Sequence, residues 1–266
     1  MLERISQADF LRMFKRRFLA NGPGTAALAY WKMKYLILTG EAYRVPGHDA
    51  FYLVRDRHLL AYLSGDNELH LKPGELNALD AVTLPAGLFE TVKGDLRGFR
   101  PGYAWSLRYD FNYKPAPPSG DFEAIGFDFH NHRHYKKAAE IINGTEKWLN
   151  DKNIKKMTGY AAFDPSLWFF AKEKKAKDFE AVCISAYDPE VRQTDMDWVF
   201  VAPNAQGKGL GRFLAEETIR RCGEKSDSVC VGGAEDFYRK CGFYGYEEWV
   251  WAAKDGYKFN APGIQP

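Results

Sequence analysis

The sequence predicts an α/β (mixed α+β) chain: a central mixed sheet flanked by helices, preceded by a smaller α+β domain. Three observations carry this. From residue 122 onward, apolar runs of strand length interleave with runs of helical spacing, the mark of a sheet with helices packed on it. In the first part, two helical stretches precede a hairpin and a strand in which Trp105, Leu107, Tyr109, Phe111 and Tyr113 alternate with polar residues. Between these parts, Lys114-Pro115-Ala116-Pro117-Pro118-Ser119-Gly120 cannot supply a sheet ladder and reads as a linker. The 266 residues lie between one large domain and two of ordinary size. The linker resolves this into an N-terminal domain over 1–118 and a second over 119–266.

The elements follow in order. Ser6 is placed to cap a helix, with Asp9 three residues on and Ile5 and Phe10 as a hydrophobic staple. Asn21-Gly22-Pro23-Gly24 stops that helix. A second helix carries Leu28, Trp31, Tyr35 and Leu38 as its apolar stripe and ends at Gly40. Phe51–Val54 and Leu59–Leu63, about Arg55-Asp56-Arg57, read as a hairpin. After the linker come a strand over Phe122–Phe129, a helix over Tyr135–Leu149, strands over Leu167–Ala171 and Phe179–Ala186, and a strand over Asp195–Val201 ending at Pro203. A glycine loop then opens a helix striped by Leu210, Phe213, Leu214 and Ile219 and stopped by Gly223. A short strand at Val229–Val231, a short helix at Ala234–Cys241 and a last strand at Tyr246–Ala252 complete the order.

Composition excludes several classes. Lys plus Arg number 37 against 35 Asp plus Glu, so there is no basic excess for nucleic acid, and the one dense run, Lys172–Lys177, is a short turn. No apolar run approaches the ~20 residues of a membrane helix. The N-terminus has no signal or transit pattern. Cys183, Cys222, Cys230 and Cys241 lack paired spacing and fit reduced thiols, so a cytoplasmic location is expected.

The strongest local signal is Val201-Ala202-Pro203-Asn204-Ala205-Gln206-Gly207-Lys208-Gly209-Leu210-Gly211. Glycines between a strand and a helix let successive backbone N–H groups face an anion, and the helix start adds its positive dipole end. Ala202 and Gly209 stand where a Walker loop needs Gly and Ser or Thr, and the Rossmann spacing fails at Arg212. A ligand-free turn is the alternative for the loop taken alone.

This stretch resembles the acyl-CoA N-acyltransferase (GNAT) superfamily. Gln206, Gly209 and Gly211 match its loop, Val201 and Pro203 its strand end, and Phe237-Tyr238-Arg239-Lys240-Cys241-Gly242-Phe243 its second signature on a short helix. The resemblance spans about 122–252 and implies a GNAT-like sheet in the second domain. It implies acetyl-CoA as cosubstrate, with Val201, Gln206, Gly207, Lys208, Gly209, Leu210, Gly211 and Arg212 as its binding residues. It further implies N-acetylation of a small-molecule or peptide amine by direct attack in a ternary complex.

In that reading Tyr238 is the general acid for the leaving thiolate, and its alternative is a helix tyrosine packed on the sheet. Asp195, with Asp197 second, is the expected base; two apart on one strand, they share a face, and Asp195 acts through a water because Asp is shorter than the family's common Glu. Six residues of strand separate Asp195 from Val201, about 20 Å, comparable with an extended pantetheine arm. Both aspartates can equally be polar residues of a strand end. Val231 replaces the family's pantetheine-contacting Asn, which weakens a binding contact but not the acid.

His130, His132 and His134 with Asp128 imitate a metal cluster, yet they fall where strand passes to helix and neither periodicity holds all three. Contact with the acceptor is the preferred reading, and no metal is expected. The cysteines read as buried thiols and Asn21–Ala26 as an interhelix turn. The first domain, without loop or tyrosine signature, reads as a degenerate or partial GNAT-like companion that closes over the acceptor site. The competing function is a non-catalytic acyl-CoA sensor.

Overall fold

The computed structural model describes residues 2–21, 27–111, 120–144 and 149–257. The linker at 114–119, the glycines at 22–24, Trp148 and Tyr113 lie outside the described residues. The chain divides into two compact units: Met1–Leu107 with Gly233–Glu235 and Gly245–Pro266, and Arg108–Gly232 with Asp236–Tyr244. The final strand therefore belongs to the first unit.

In the first unit, β1 (Glu3–Ile5) leads into α1 (Gln7–Asn21). Ser6 caps it as expected, its Oγ accepting from the Asp9 N–H at 3.0 Å. α2 (Tyr30–Thr39) ends at Gly40. Its buried residues are Tyr30, Trp31, Met33, Leu36 and Ile37, whereas Leu38 is 63% exposed. Of the expected stripe at 28, 31, 35 and 38, Trp31 is buried, Leu28 and Tyr35 are half-buried and Leu38 is exposed, while Tyr30, outside that stripe, packs on Phe14 and Phe18 of α1. β2 (Glu41–Val45), β3 (Ala50–Arg55) and β4 (His58–Ser64) form an antiparallel meander. The β3–β4 turn places Asp56 and Arg57 both at positive φ, 50° and 60°, the primed geometry that suits strand twist. α3 (Pro73–Asn77), β5 (Ala81–Pro85), α4 (Ala86–Val92), β6 (Phe99–Asp110) and, from the far end of the chain, β12 (Tyr244–Lys254) complete the unit. Its strand order is β1-β2-β3-β4-β5-β12-β6. One sheet face packs Phe51 edge-on against Phe10 of α1. A second core gathers Tyr52, Leu59, Leu76, Val82, Leu84, Phe89 and Val250.

The second unit is ordered β7-β8-β9-β10-β11: β7 (Phe122–Gly126), β8 (Phe163–Glu173), β9 (Ala181–Asp188), β10 (Gln193–Val201) and β11 (Ser228–Gly233). β7 to β10 are antiparallel neighbours, and β11 runs parallel to β10. A parallel pair needs a crossover, which α7 (Leu210–Cys222) supplies. The helix expected over 135–149 is α5 (His132–Asn143), capped by Asn131, which stops earlier; a further helix, α6 (Asp151–Met157), lies beyond that range, and its Asn150 and Asn153 exchange reciprocal cap bonds. α8 (Glu235–Lys240) follows β11.

Alternation along β8 sorts its side chains between two layers. Phe170 and Trp168 meet Phe127, whose ring also packs on Tyr135 of α5. Phe169 lies under the Arg221 guanidinium of α7 at 4.2 Å. Arg221 also donates to the Ser166 carbonyl at 2.9 Å and to Glu217 at 2.7 Å, so α7 is anchored on β8 through charge-assisted bonds.

Candidate active site

β10 carries the site from one end to the other. Its ladder with β11 consists of Gln193–Ser228, Thr194–Val229 and Asp195–Cys230, and no pair follows although both strands continue. On the other side β10 stays paired with β9 as far as Val201–Ala181. Beyond Asp195 the two parallel strands therefore part, leaving the β11-facing edge of Met196–Val201 without that ladder.

A register shift lies in the β9–β10 ladder: Met196 opposes Ser185 and Trp198 opposes Ile184, so Asp197 is an extra residue. A bulge of this kind bends the strand and re-aims side chains. It corrects the expectation that Asp195 and Asp197 share a face, because strict alternation fails between them. Asp195 is 7% exposed, at the last rung joining β10 to β11, opposite Cys230. Asp197 is half-buried at the bulge.

At the other end of β10, Pro203–Ala205 form a tight turn, and the Gln206 side chain donates back to the Val201 carbonyl at 3.2 Å. Gly207 and Gly209 take φ of +78° and +101°, which L side chains rarely adopt. Gly209 is the N-cap of α7 and offers no side-chain cap, so the first N–H groups of Leu210, Gly211 and Arg212 lack intrahelical acceptors at the positive end of the helix. Gly211 is glycine for a different reason: a Cβ there would stand 3.1 Å from Cζ of Phe237. At Gly209 a Cβ would meet the Phe122 ring at 3.5 Å, an ordinary contact, so there the positive φ is what calls for glycine.

The two cations of the loop are already engaged. Lys208 Nζ lies 2.9 Å from Glu173 and 3.8 Å from Glu180, and the hydrogen bond to Glu173 holds its ammonium above its ordinary pKa. Arg212 Nε meets Glu216 at 2.7 Å, one helical turn on. Backbone N–H groups, rather than free cations, are what the loop presents. The i,i+4 spacing of Arg212 and Glu216 on α7 signals that pair in the sequence, whereas Glu173 and Glu180, the partners of Lys208, come from outside the loop and no local spacing declares them.

Tyr238 sits on α8, buried, with its ring against Phe237 at 4.8 Å and Phe243 at 5.5 Å. Burial raises its phenol well above the usual value of ten, with smaller contributions from Cys183 and Cys241, so it stays protonated at neutral pH. Phe237, the neighbour of Tyr238, is the residue that touches Gly211; the helix bearing the phenol and the helix opened by the glycine loop are thus in direct contact.

The four cysteines are free and buried. Burial pushes Cys222 up to about 12 and Cys241 up to about 11, and raises Cys183 and Cys230 as well, so none is a thiolate at neutral pH. The three histidines at the start of α5 part company, His130 ahead of the helix and His132 and His134 in its first turn. His134 Nδ1 accepts from the Asp128 N–H at 2.9 Å, while His132 Nε2 meets Asp151 at 3.2 Å. Among the described residues they form no shared ligand set; the group of that kind that sequence reading missed is His48, Asp66 and His70. No described helix is long and apolar enough to cross a membrane.

Residues 164–244 match the model of the acetyltransferase (GNAT) domain. No curated protein matches the sequence significantly. Among solved structures, a GCN5-related N-acetyltransferase from Sphaerobacter thermophilus superposes with a TM-score of 0.67 at 16% identity, over 96% of this chain and 95% of that one. An acetyltransferase of the GNAT family from Colwellia psychrerythraea gives 0.59 at 12% identity, over 96% and 100%. A tandem GNAT protein of the clavulanic acid biosynthesis pathway gives 0.57 at 12% identity, over 97% and 99%. Residues 164–244, from β8 to the start of β12, thus match a GNAT acetyltransferase domain, and the chain shares its fold with these solved GNAT structures.

Proposed function

We propose that this chain is an acyltransferase that transfers the acetyl group of acetyl-CoA to an amine by direct attack in a ternary complex. The observation that carries the reading is the parting of β10 from β11 beyond Asp195, with the glycine loop at one end of the opened strand edge and Asp195 at the other. An extended arm bearing amides can pair with that edge, its pyrophosphate against the N–H groups of Gly207–Arg212 and its thioester toward Asp195. Val201, at the strand end, and Gln206, which fixes the turn, shape the entry to the loop.

The chemistry follows from these positions. The lone pair of a neutral amine attacks the thioester carbonyl, and backbone N–H groups of the parted strand stabilise the developing oxyanion. The attacking nitrogen loses its proton through a water to Asp195, with Asp197 as the second candidate. The C–S bond breaks, and the departing thiolate takes its proton from Tyr238. The acceptor is a small-molecule or peptide amine, and the free buried thiols agree with a cytoplasmic setting.

Release of CoA thiol from acetyl-CoA, measured against a panel of amines, tests the proposal. Amine-dependent release with formation of the acetylated amine is the expected result. Saturable acetyl-CoA binding without turnover over the panel would replace the enzyme with an acyl-CoA sensor.

A further inference from the structure

The first unit repeats the strand logic of the second without repeating its sequence. β4 is antiparallel to β3 and parallel to β5, and the β4–β5 ladder stops after His58–Ala81 and Leu59–Val82 although β4 continues to Ser64. β10 has the same relations to β9 and β11. The segment from Gly65 to Lys72, between β4 and α3, thus holds the topological place in the first unit that the glycine loop holds in the second. Its chemistry is opposite. In place of spaced glycines it carries Asp66, Glu68 and His70, a composition that repels phosphate and suits a cation.

We propose that this segment, with the β2–β3 turn beside it, binds a late first-row divalent cation such as Zn²⁺ through His48, Asp66 and His70. One ligand atom from each residue lies within 4.8 Å of the other two. His70 Nε2 stands 2.8 Å and 3.0 Å from the two carboxylate oxygens of Asp66. The His48 and His70 rings lie face to face, centroids 3.7 Å apart and planes 28° apart, so the two imidazoles are neighbours at one spot of the surface. Zn–N and Zn–O distances of ~2.0–2.2 Å put neighbouring ligand atoms of a tetrahedral ion roughly 3.3–3.5 Å apart. A shift of about 1 Å closes the set, made mainly by the exposed His48 ring toward the Asp66–His70 pair. Two imidazoles and one carboxylate leave a fourth position for water, a donor set that fits Zn²⁺ and excludes a purely oxygen-seeking ion.

The supporting bonds hold the ligands in place before any metal arrives. Tyr62 Oη accepts from the His70 N–H at 2.8 Å and donates to the Glu68 carbonyl at 3.1 Å. Asp66 is fixed by the Ser64 hydroxyl and by the Glu68 N–H. The turn bearing His48 is tied to the β4 end by Gly65 N–H donating to the Asp49 carbonyl at 2.9 Å, and by Arg17, which reaches Asp49 and the Ser64 carbonyl. Second-shell bonds of this kind orient metal ligands.

Titration of the intact, untagged chain with ZnCl2 by calorimetry, and with Co²⁺ by visible absorption, tests the site. The expected result is one equivalent bound, a rise in melting temperature with the metal, and at least tenfold weaker binding in His48→Ala and in His70→Ala. His130→Ala/His132→Ala is expected to bind as the parent does. His48 is exposed, so its variant keeps the test decisive if His70→Ala does not fold. No saturable binding, or the same affinity in His48→Ala as in the parent, would overturn the proposal.

Discussion

A Cβ on Gly211 would stand 3.1 Å from Cζ of Phe237. This contact joins the first turn of the helix that opens after the glycine loop to the helix carrying Tyr238, so the glycine loop and the candidate acid are positioned by one packing surface. Gly211→Ala is expected to overpack it, at about 1–3 kcal/mol, and to weaken acetyl-CoA binding as α7 shifts. Gly207→Ala, where nothing lies within 4 Å but φ is +78°, is expected to cost only backbone strain of about 1 kcal/mol. Urea unfolding and calorimetric titration of the two variants separate these effects.

Tyr238→Phe preserves the ring that packs on Phe237 and Phe243 and removes only the proton donor. We expect kcat to fall by about 10²–10⁴, with KM for acetyl-CoA and the melting temperature little changed. Because burial raises the phenol, the acid remains protonated until well past pH 10, and no alkaline loss of rate below that pH is expected from this group. A fall of less than tenfold in kcat with the product unchanged would remove Tyr238 from the acid role.

Asp195 and Asp197 are separable because the bulge sets them apart. Asp195→Asn is expected to lower kcat/KM by about 10²-fold or more, whereas Asp197→Asn is expected to cost under about tenfold in the same assay. Steady-state kinetics with the best amine of the panel decides between them; the reverse order would make the bulge residue the base.

His58 offers a pH test in the first unit. Burial, with a smaller contribution from Arg55, lowers its pKa to about 4, and its Nε2 lies 2.8 Å from Thr83 Oγ1. A histidine whose folded pKa is depressed stabilises the fold above its unfolded value near 6.5, and that stability is lost as pH falls toward 4. About 3 kcal/mol is at stake over this window. Urea midpoints between pH 7 and pH 4 are expected to fall more steeply for the parent than for His58→Gln.

Much of the second unit was legible because its signals are local. The glycines at 207, 209 and 211, the strand ending at Pro203 and the Phe-Tyr pair each declare an element by chemistry within a few residues. What escaped was set by distant pairing. The bulge at Asp197 exists only relative to β9, so period-two reasoning put both aspartates on one face. The α2 stripe held at Trp31 and failed at Leu38, because nearly every turn of that helix is apolar and the row that is covered depends on its packing partners, α1 among them. The helix after Tyr135 stops at Asn143 rather than running to Leu149, where the Asn143 side chain exchanges bonds with the Leu149 backbone, a closure over six residues that no local spacing declares. His48 and His70 are 22 residues apart in the sequence, and no local pattern joins them; the β2–β3 turn and the end of β4 do.

Calorimetric titration of acetyl-CoA into the parent chain and into Gly209→Glu tests the central claim most directly, since the variant places a carboxylate on the backbone nest at the α7 N-cap. The account predicts one site per chain in the parent and at least tenfold weaker binding in the variant, with the far-ultraviolet dichroism of the fold retained. Equal affinity in the two, or no binding by the parent, would contradict it.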